Sequence, residues 1–306
     1  MITTICLNPC FDKTVTVDAM TVGGLHRVRT MRTDPGGKGA NVANVLSRLG
    51  APVRCLGLAG EQGAKAYEDL LEKAGVPQGF LHVCGEVRTN LKIVSLDGSE
   101  VTEINEPGPM IPEKRLNDLL KVVRENCGGD DFLVLTGSLP PGCADDTYAR
   151  LVRALNVPAV VDASGKSLRA SLAARPFLVK PNKAELCEAV GRKLEDLGAV
   201  ERAARELMDA GAQHVLVSLG AEGALLVTPD KVWHADGLKV KVSSTVGAGD
   251  AMTAGFVAGF VETGDFVEAF RRGVAAGTAS VMTDGTQLIR LEDYEALLGR
   301  VTIREV

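Results

Sequence analysis

Ser244-Thr245-Val246-Gly247-Ala248-Gly249-Asp250-Ala251 sets a carboxylate on a turn made of the smallest residues, and an apolar run at helical spacing continues from it through residue 260. The run before it, Lys239-Val240-Lys241-Val242, alternates polar and apolar as a half-buried strand does. The stretch therefore predicts a strand, a tight turn and a helix, the repeating unit of an α/β chain. The first N–H groups of such a helix have no intrahelical partner and point outward with the positive end of its dipole, which suits an anion. Gly247, Ala248 and Gly249 carry too little side chain to keep a phosphate from those donors, and Asp250 would stand beside it, able to accept a proton from an attacking hydroxyl. The same residues also describe a plain tight turn whose acidic residue caps a helix. Taken alone, they leave both readings open.

Outward from this stretch the same rhythm recurs. Short apolar runs at residues 2–7, 53–58, 132–136, 159–162, 177–180 and 215–219 predict strands, and amphipathic stretches at 41–49, 67–74, 113–125, 146–155 and 200–210 predict helices between them. Apolar strands separated by helices imply a mostly parallel sheet covered on both faces. Two regions depart from this pattern. Residues 14–17 with 28–33, and 90–94 with 101–104, read as hairpin strands with one polar face and no intervening helix. They predict a small second sheet from two insertions, a lid over one end of the main domain of the kind that excludes water from a reaction.

Bulk properties narrow the function. The 306 residues suffice for one large α/β domain with an appendage. A net charge of −5 argues against nucleic acid as a partner, and aromatics at 4 % leave no base-stacking platform. No apolar run approaches the roughly 20 residues that span a bilayer, and the first residues lack a basic leader, so a cytoplasmic protein without a membrane partner is expected. Seven scattered cysteines with no Cys-x-x-Cys pair read as thiols in a reducing compartment, and the four histidines show no metal-ligand spacing.

A second glycine-rich segment, Asp34-Pro35-Gly36-Gly37-Lys38-Gly39-Ala40-Asn41, also opens a helix. It is not a dinucleotide fingerprint, because Gly37-Lys38-Gly39 is followed by Ala40-Asn41-Val42 and the third glycine is absent. Gly165-Lys166-Ser167 resembles the end of a Walker A loop, but the position of its first glycine holds Val160. Phosphate chemistry here is not of the P-loop type.

Together, Gly36-Gly37-Lys38-Gly39-Ala40-Asn41-Val42-Ala43 and Thr245-Val246-Gly247-Ala248-Gly249-Asp250 resemble the paired signature of the PfkB, or ribokinase-like, carbohydrate kinases in order, spacing and flanking helices. Leu7-Asn8-Pro9 with Asp12, Glu86-Val87-Arg88-Thr89-Asn90, Thr102-Glu103-Ile104-Asn105-Glu106-Pro107-Gly108 and Gly137-Ser138-Leu139-Pro140 are similar to the branch that acts on phosphorylated ketohexoses. The resemblance covers essentially the whole chain. It implies a single ribokinase-like α/β domain over residues 1–306, a lid from about 12–34 and 88–106, ATP and Mg²⁺ as cofactors, and fructose 1-phosphate as acceptor, with tagatose 6-phosphate or fructose 6-phosphate as alternatives. A sugar-phosphate sensor on the same fold is the reading from another class.

By the same resemblance Asp250 is the catalytic base, and the amides of Gly247, Ala248, Gly249 and Asp250 form the anion hole. Asn182 and Glu185 match an Asn-x-x-Glu element that organises Mg²⁺ through water, although Asn followed three residues later by Glu is also an ordinary capping pair. Lys180, Asn182, Ser218, Gly220, Ala221 and Gly223, with Gly247 and Gly249, are expected to face ATP. Asp12 and Asn41 are candidates for sugar hydroxyls, and Gly36, Gly37 and Gly39 for close approach of the sugar. Arg88, Lys38 and Arg27, with the Ser138 hydroxyl, are candidates for the sugar phosphate, Arg88 first for its planar fork. A lid with free strand edges is expected to be covered by a second copy of the chain, making a homodimer.

Overall fold

A computed structural model describes residues 1–97, 101–129, 131–155, 157–283 and 287–306. From the N-terminus run β1 (Ile2–Cys6), β2 (Cys10–Val17), β3 (Thr30–Gly36), α1 (Lys38–Arg48), β4 (Val53–Gln62), α2 (Ala64–Lys73), β5 (Gln78–Glu86), β6 (Arg88–Ser95) and β7 (Val101–Asn105). There follow α3 (Glu113–Asn126), β8 (Phe132–Thr136), α4 (Thr147–Ala154), β9 (Ala159–Asp162), α5 (Gly165–Leu172), β10 (Leu178–Val179), α6 (Lys183–Val190), α7 (Leu197–Asp209) and β11 (His214–Ser218). The chain closes with β12 (Ala224–Val227), β13 (Val232–Ala235), α8 (Ala248–Thr263), α9 (Phe266–Val281), α10 (Leu291–Leu298) and β14 (Ile303–Glu305).

Ten strands form one sheet in the order β14-β13-β12-β11-β10-β9-β8-β1-β4-β5. From β5 to β11 every pair is parallel, and β12, β13 and β14 add an antiparallel edge. The alternation of strand side chains divides the core into two layers. Ile2, Val134, Val160 and Leu216 pack into one cluster with residues of α1, α8 and α9; Ile5, Leu133, Val161 and Val215 pack into the other with residues of α3, α4 and α7. The expected fold class, a mostly parallel sheet between helices with a small additional sheet, is the one observed.

That second sheet has the order β3-β2-β6-β7 and is assembled from the two predicted insertions. Its strand register sorts the faces. Asp12, Thr14, Asn90, Lys92 and Glu103 share the face that lines the large cleft. Val15, Met31, Ile93 and Ile104 share the opposite face, where Val15 is buried but Met31 is 62 % and Ile104 55 % exposed.

The expected strand at 239–242 does not form. Leu238 and Val240 are half-buried and Lys239 and Lys241 exposed, so the alternation is genuine, but Val242 is exposed and the nearest strand, β13, is already paired on both sides by β12 and β14. The segment instead runs along the cleft, which Leu238, Val240 and Val242 line. All seven cysteines are free thiols, and among the described residues no helix is long and apolar enough to cross a membrane.

Candidate active site

The cleft, about 1760 Å³, opens between the C-terminal ends of the parallel strands and the inner face of the four-stranded sheet. Open α/β sheets bind ligands at this end, because there the helices present their N-termini. Two such N-termini converge on the floor. Helix α1 follows Gly37, whose φ of +100° excludes a side chain at low cost, and α8 follows Gly247 at +80°. From α1, Asn41 Nδ2 donates to Asp250 Oδ2 in the first turn of α8 at 2.9 Å. The two glycine-rich segments are thus bound to each other through their polar residues.

Asp250 is 5 % exposed. Burial pushes its carboxyl up to about 6; Lys38 opposes this, Asp162 adds to it, and Asn41 and Lys180 oppose it further. Lys180, also buried, stands under the turn: a Cβ on Gly249 would lie 3.2 Å from its Nζ, which is 3.4 Å from Asp162 Oδ2. Burial tends to raise the Asp162 carboxyl, yet Lys180 and then Lys38 hold it below its ordinary value. Asp162 in turn is the main reason the Lys38 ammonium is held up, against burial and with help from Asp250 and Glu185. Two acids and the Lys180 ammonium therefore share one dry centre at the N-terminus of α8, and the exposed Lys38 lies near enough for both acids to act on its charge.

Asp162, at the charged centre, was not read from the sequence. It closes the apolar strand Ala159-Val160-Val161 on the cleft side of a parallel sheet, and that position was the available signal. Lys38, expected at the sugar-phosphate end, lines the cleft next to Gly137, where Asp162 and then Asp250 also act on its charge. The glycines are corrected in part. Gly37 lines the cleft, but Gly36 and Gly39 are not among the lining residues. A Cβ on Gly36 would fall 2.2 Å from Asp12 Oδ2, and one on Gly39 2.5 Å from the Ile5 carbonyl, so these two admit the protein's own strands and not a sugar. Arg27 is exposed between β2 and β3 and does not line the cleft.

Away from Asp250 the cleft narrows onto β2 and β6. Asp12, whose carboxyl burial raises, accepts from Asn90 Nδ2 at 3.0 Å and from Cys10 Sγ at 3.3 Å. Arg88 donates to the carbonyls of Asn8 and Glu106 and to Asn90 Oδ1 at 2.8 Å, which fixes its fork in the wall. Asn8 Nδ2 donates to Ser138 Oγ at 3.3 Å. Two fully buried tyrosines hold the adjoining glycines in place: Tyr67 Oη donates to the Gly36 carbonyl at 2.6 Å and Tyr148 Oη to that of Gly137 at 2.9 Å. Sequence reading had placed Asn8 and Asn90 only within segments that resemble the sugar-phosphate branch and had given neither of them, nor either tyrosine, a role of its own.

On the other side of Asp250, Ser218, Gly220, Ala221 and Gly223 line the cleft in the turn that joins β11 to β12, with Gly220 at φ +62° and Gly223 at +96°. Val240, Val246, Val274 and Val281 supply an apolar wall there. Asn182 and Glu185 form a capping box at the start of α6: Asn182 N donates to Glu185 Oε2, and Glu185 N to Asn182 Oδ1, each at 2.9 Å. The cap leaves Glu185 Oε1 unused in that pair, on a side chain that lines the cleft. Among the described residues no three His, Cys, Asp or Glu side chains come together as a metal cage.

A helix-terminal anion site with a buried base, placed between a polar wall and an apolar one, is the equipment of a phosphoryl-transfer enzyme. A family model described as pfkB family carbohydrate kinase matches residues 6–293, and the chain belongs to that family. It is 37 % identical to the 1-phosphofructokinase of Bacillus subtilis, with 99 % of each chain covered, and 38 % identical to that of Haloferax volcanii, with 96 % of this chain and 95 % of the relative covered. Among solved structures it is similar to phosphofructokinase-2 from Escherichia coli in complex with potassium, at a TM-score of 0.93, 32 % identity and 98 % of both chains.

Proposed function

We propose that the cleft transfers the γ-phosphoryl group of ATP to the C6 hydroxyl of fructose 1-phosphate, giving fructose 1,6-bisphosphate and ADP. The observation that carries this reading is the setting of Asp250: a dry carboxylate at the open end of α8, held by Asn41 and flanked by two lysines. The acceptor hydroxyl donates to Asp250. As its oxygen bonds to the γ-phosphorus the proton passes to the carboxylate, and the bond from phosphorus to the bridging oxygen of the β-phosphate breaks, its electron pair leaving with ADP. Charge on the phosphoryl oxygens is met by the first amides of α8 and by the Lys180 and Lys38 ammoniums. Asp162 is a positioning residue that keeps both ammoniums directed at the centre.

Asp12, Asn90 and Asn41 bind sugar hydroxyls in this reading, and Arg88 with Ser138 binds the 1-phosphate. The turn from Ser218 to Gly223 follows the nucleotide, whose flat base suits the wall of Val240, Val246, Val274 and Val281. Glu185 would hold Mg²⁺ through water, since one of its carboxylate oxygens is free of the cap and the side chain lines the cleft. When bound, Mg²⁺ neutralises phosphate charge. A purely sensing protein would have no use for a buried base beside an anion hole. The relatives named 1-phosphofructokinase, matched over nearly the whole chain, favour fructose 1-phosphate over tagatose 6-phosphate and fructose 6-phosphate. The free thiols suit a reducing cytoplasm.

The apolar outer face of the four-stranded sheet is the natural contact for a second copy, so the enzyme is proposed to be a homodimer through that face. The function is tested by ADP release from Mg-ATP with fructose 1-phosphate, tagatose 6-phosphate, fructose 6-phosphate, fructose and ribose. The expected result is a kcat/KM highest for fructose 1-phosphate. Preference for another phosphorylated ketose would move the substrate and keep the mechanism, whereas turnover of neutral sugars alone would remove Arg88 from its role.

A further inference from the structure

Leu288 lies beneath the Gly247 turn in a strained conformation. Leu288 has φ +62°, a left-handed geometry that costs an L side chain about 1–2 kcal/mol, and it is nevertheless only 3 % exposed. Its side chain supports the turn: a Cβ placed on Gly247 would lie 3.2 Å from Leu288 Cδ2. Strain of this kind persists only where neighbours determine it. Here Arg48 Nη1 donates to the carbonyls on both sides, that of Gln287 at 2.8 Å and that of Ile289 at 2.6 Å, and Thr283 Oγ1 donates to the Leu288 carbonyl at 2.5 Å. Arg48 is itself aligned by donating from Nε to Asn44 Oδ1 at 2.9 Å, one turn back on α1.

Arg48 stands in the last turn of α1, where any cation gains a little from the helix dipole. That gain requires no directed bonds to a separate segment, and Arg48 makes two. The same helix presents Asn41 to Asp250 about 10 Å further toward its N-terminus, at 1.5 Å per residue. Helix α1 thus fixes the start of α8 at two points, directly through Asn41 and from beneath through Arg48 and Leu288.

We propose that Arg48 is a positioning residue for phosphoryl transfer: by pinning the left-handed Leu288 turn it sets the height of Gly247, and so the aim of the first amides of α8, without touching either substrate. The catalytic part of this inference rests on the function proposed above. Amides that stabilise a transition state act through geometry, so a small displacement of the turn lowers the rate while ground-state binding at the far walls of the cleft is preserved.

The test combines Arg48→Ala, Leu288→Gly and the double variant with two readouts. Deuterium uptake of the peptide covering residues 244–253, measured by mass spectrometry, is expected to rise in Arg48→Ala without a comparable rise in α3 or α7. Turnover with fructose 1-phosphate is expected to fall roughly 10- to 100-fold with both KM values nearly unchanged. In the Leu288→Gly background, where the backbone adopts positive φ freely, removal of Arg48 is expected to cost much less than it does in the wild type. Unchanged uptake in the 244–253 peptide overturns the proposal whatever the substrate is. Full additivity of the two substitutions, or normal turnover in Arg48→Ala, also overturns it. Raised uptake in Arg48→Ala, together with a wild type that phosphorylates none of the acceptors, keeps the link between Arg48 and the turn and removes the proposed function instead.

Discussion

At the scale of single residues, Asp250 concentrates the chemistry and its buried state makes it readable by pH. Activity requires the ionised form, so kcat/KM should fall on the acid side with a midpoint near pH 6, where burial has pushed the carboxyl. Asp250→Asn keeps the shape and the bond from Asn41 but removes the base, and kcat should drop roughly 10²- to 10⁴-fold with little change in KM. The same variant has an effect on stability of known sign. A group raised in the folded state stabilises the protein below its unfolded value of 3.8, and that contribution is lost as pH rises through about 6. Above pH 6 Asp250→Asn should therefore melt at a higher temperature than wild type, and the gap should close toward pH 4; a variant less stable at pH 7.5 would contradict the burial account. At the other wall, Arg88→Ala should raise KM for the sugar phosphate about 10- to 100-fold, in proportion to a lost charge-assisted hydrogen bond, and an unchanged KM would show that the phosphate lies elsewhere. Asp250, Asn41 and Arg88 were legible because each sits on a segment whose composition is odd for its place. Asp162 was not read, and the pairing of Lys180 with it depends on strands that meet only in the folded sheet, as the charge setting of Lys38 depends on which acids lie near it.

At the scale of elements, legibility followed periodicity. Strands β1, β8 and β9 stand where apolar runs placed them, because central parallel strands are buried on both faces and so read as mostly apolar runs, with only the small buried Thr3 and Thr4 inside β1. The antiparallel edge from β12 to β14 was not read, since edge strands are short and their partner is decided by tertiary contact; for the same reason the alternation at 239–242 had no strand to pair with. Helix α8 shows a further limit. It is apolar on nearly all sides, and its glycines are set by its neighbour α9: a Cβ on Gly255 would lie 2.4 Å from the Arg272 carbonyl and 2.8 Å from Ala276 Cβ. Gly255→Ala should accordingly lower stability by about 1–3 kcal/mol, overcoming the gain of up to about 1 kcal/mol that alanine normally brings to a helix. Gly198→Ala in α7 meets only side-chain ends, Arg202 Nη1 at 3.3 Å and Asp196 Oδ1 at 3.5 Å, and should gain stability. Thermal melts of the pair decide the matter: if both variants rise together, close packing of α8 on α9 is not what fixes the glycine.

At the scale of the whole molecule, the small sheet has a polar face toward the cleft and an apolar face away from it. That is the reverse of what a lid over a hydrophobic core would need. The polar face is accounted for by Asp12, Asn90 and Lys92 at the cleft. The apolar one is not, and a four-stranded sheet with β3 and β7 as open edges gains little stability until that face is covered. Replacing Ile104, 55 % exposed on the edge strand β7 and opposite Leu91, by Glu puts a charge on the apolar face without altering the side chains of the cleft face. In sedimentation at micromolar concentration the wild type should run as a dimer and Ile104→Glu as a monomer. If the dimer steadies the inner wall, the monomer should also bind sugar phosphate more weakly, because Arg88 and Asn90 stand on β6 beside the strand that was altered. A monomeric wild type would leave the apolar face to another partner and would separate the lid from oligomerisation; a monomeric variant with an unchanged KM would confine the second copy to a role in stability.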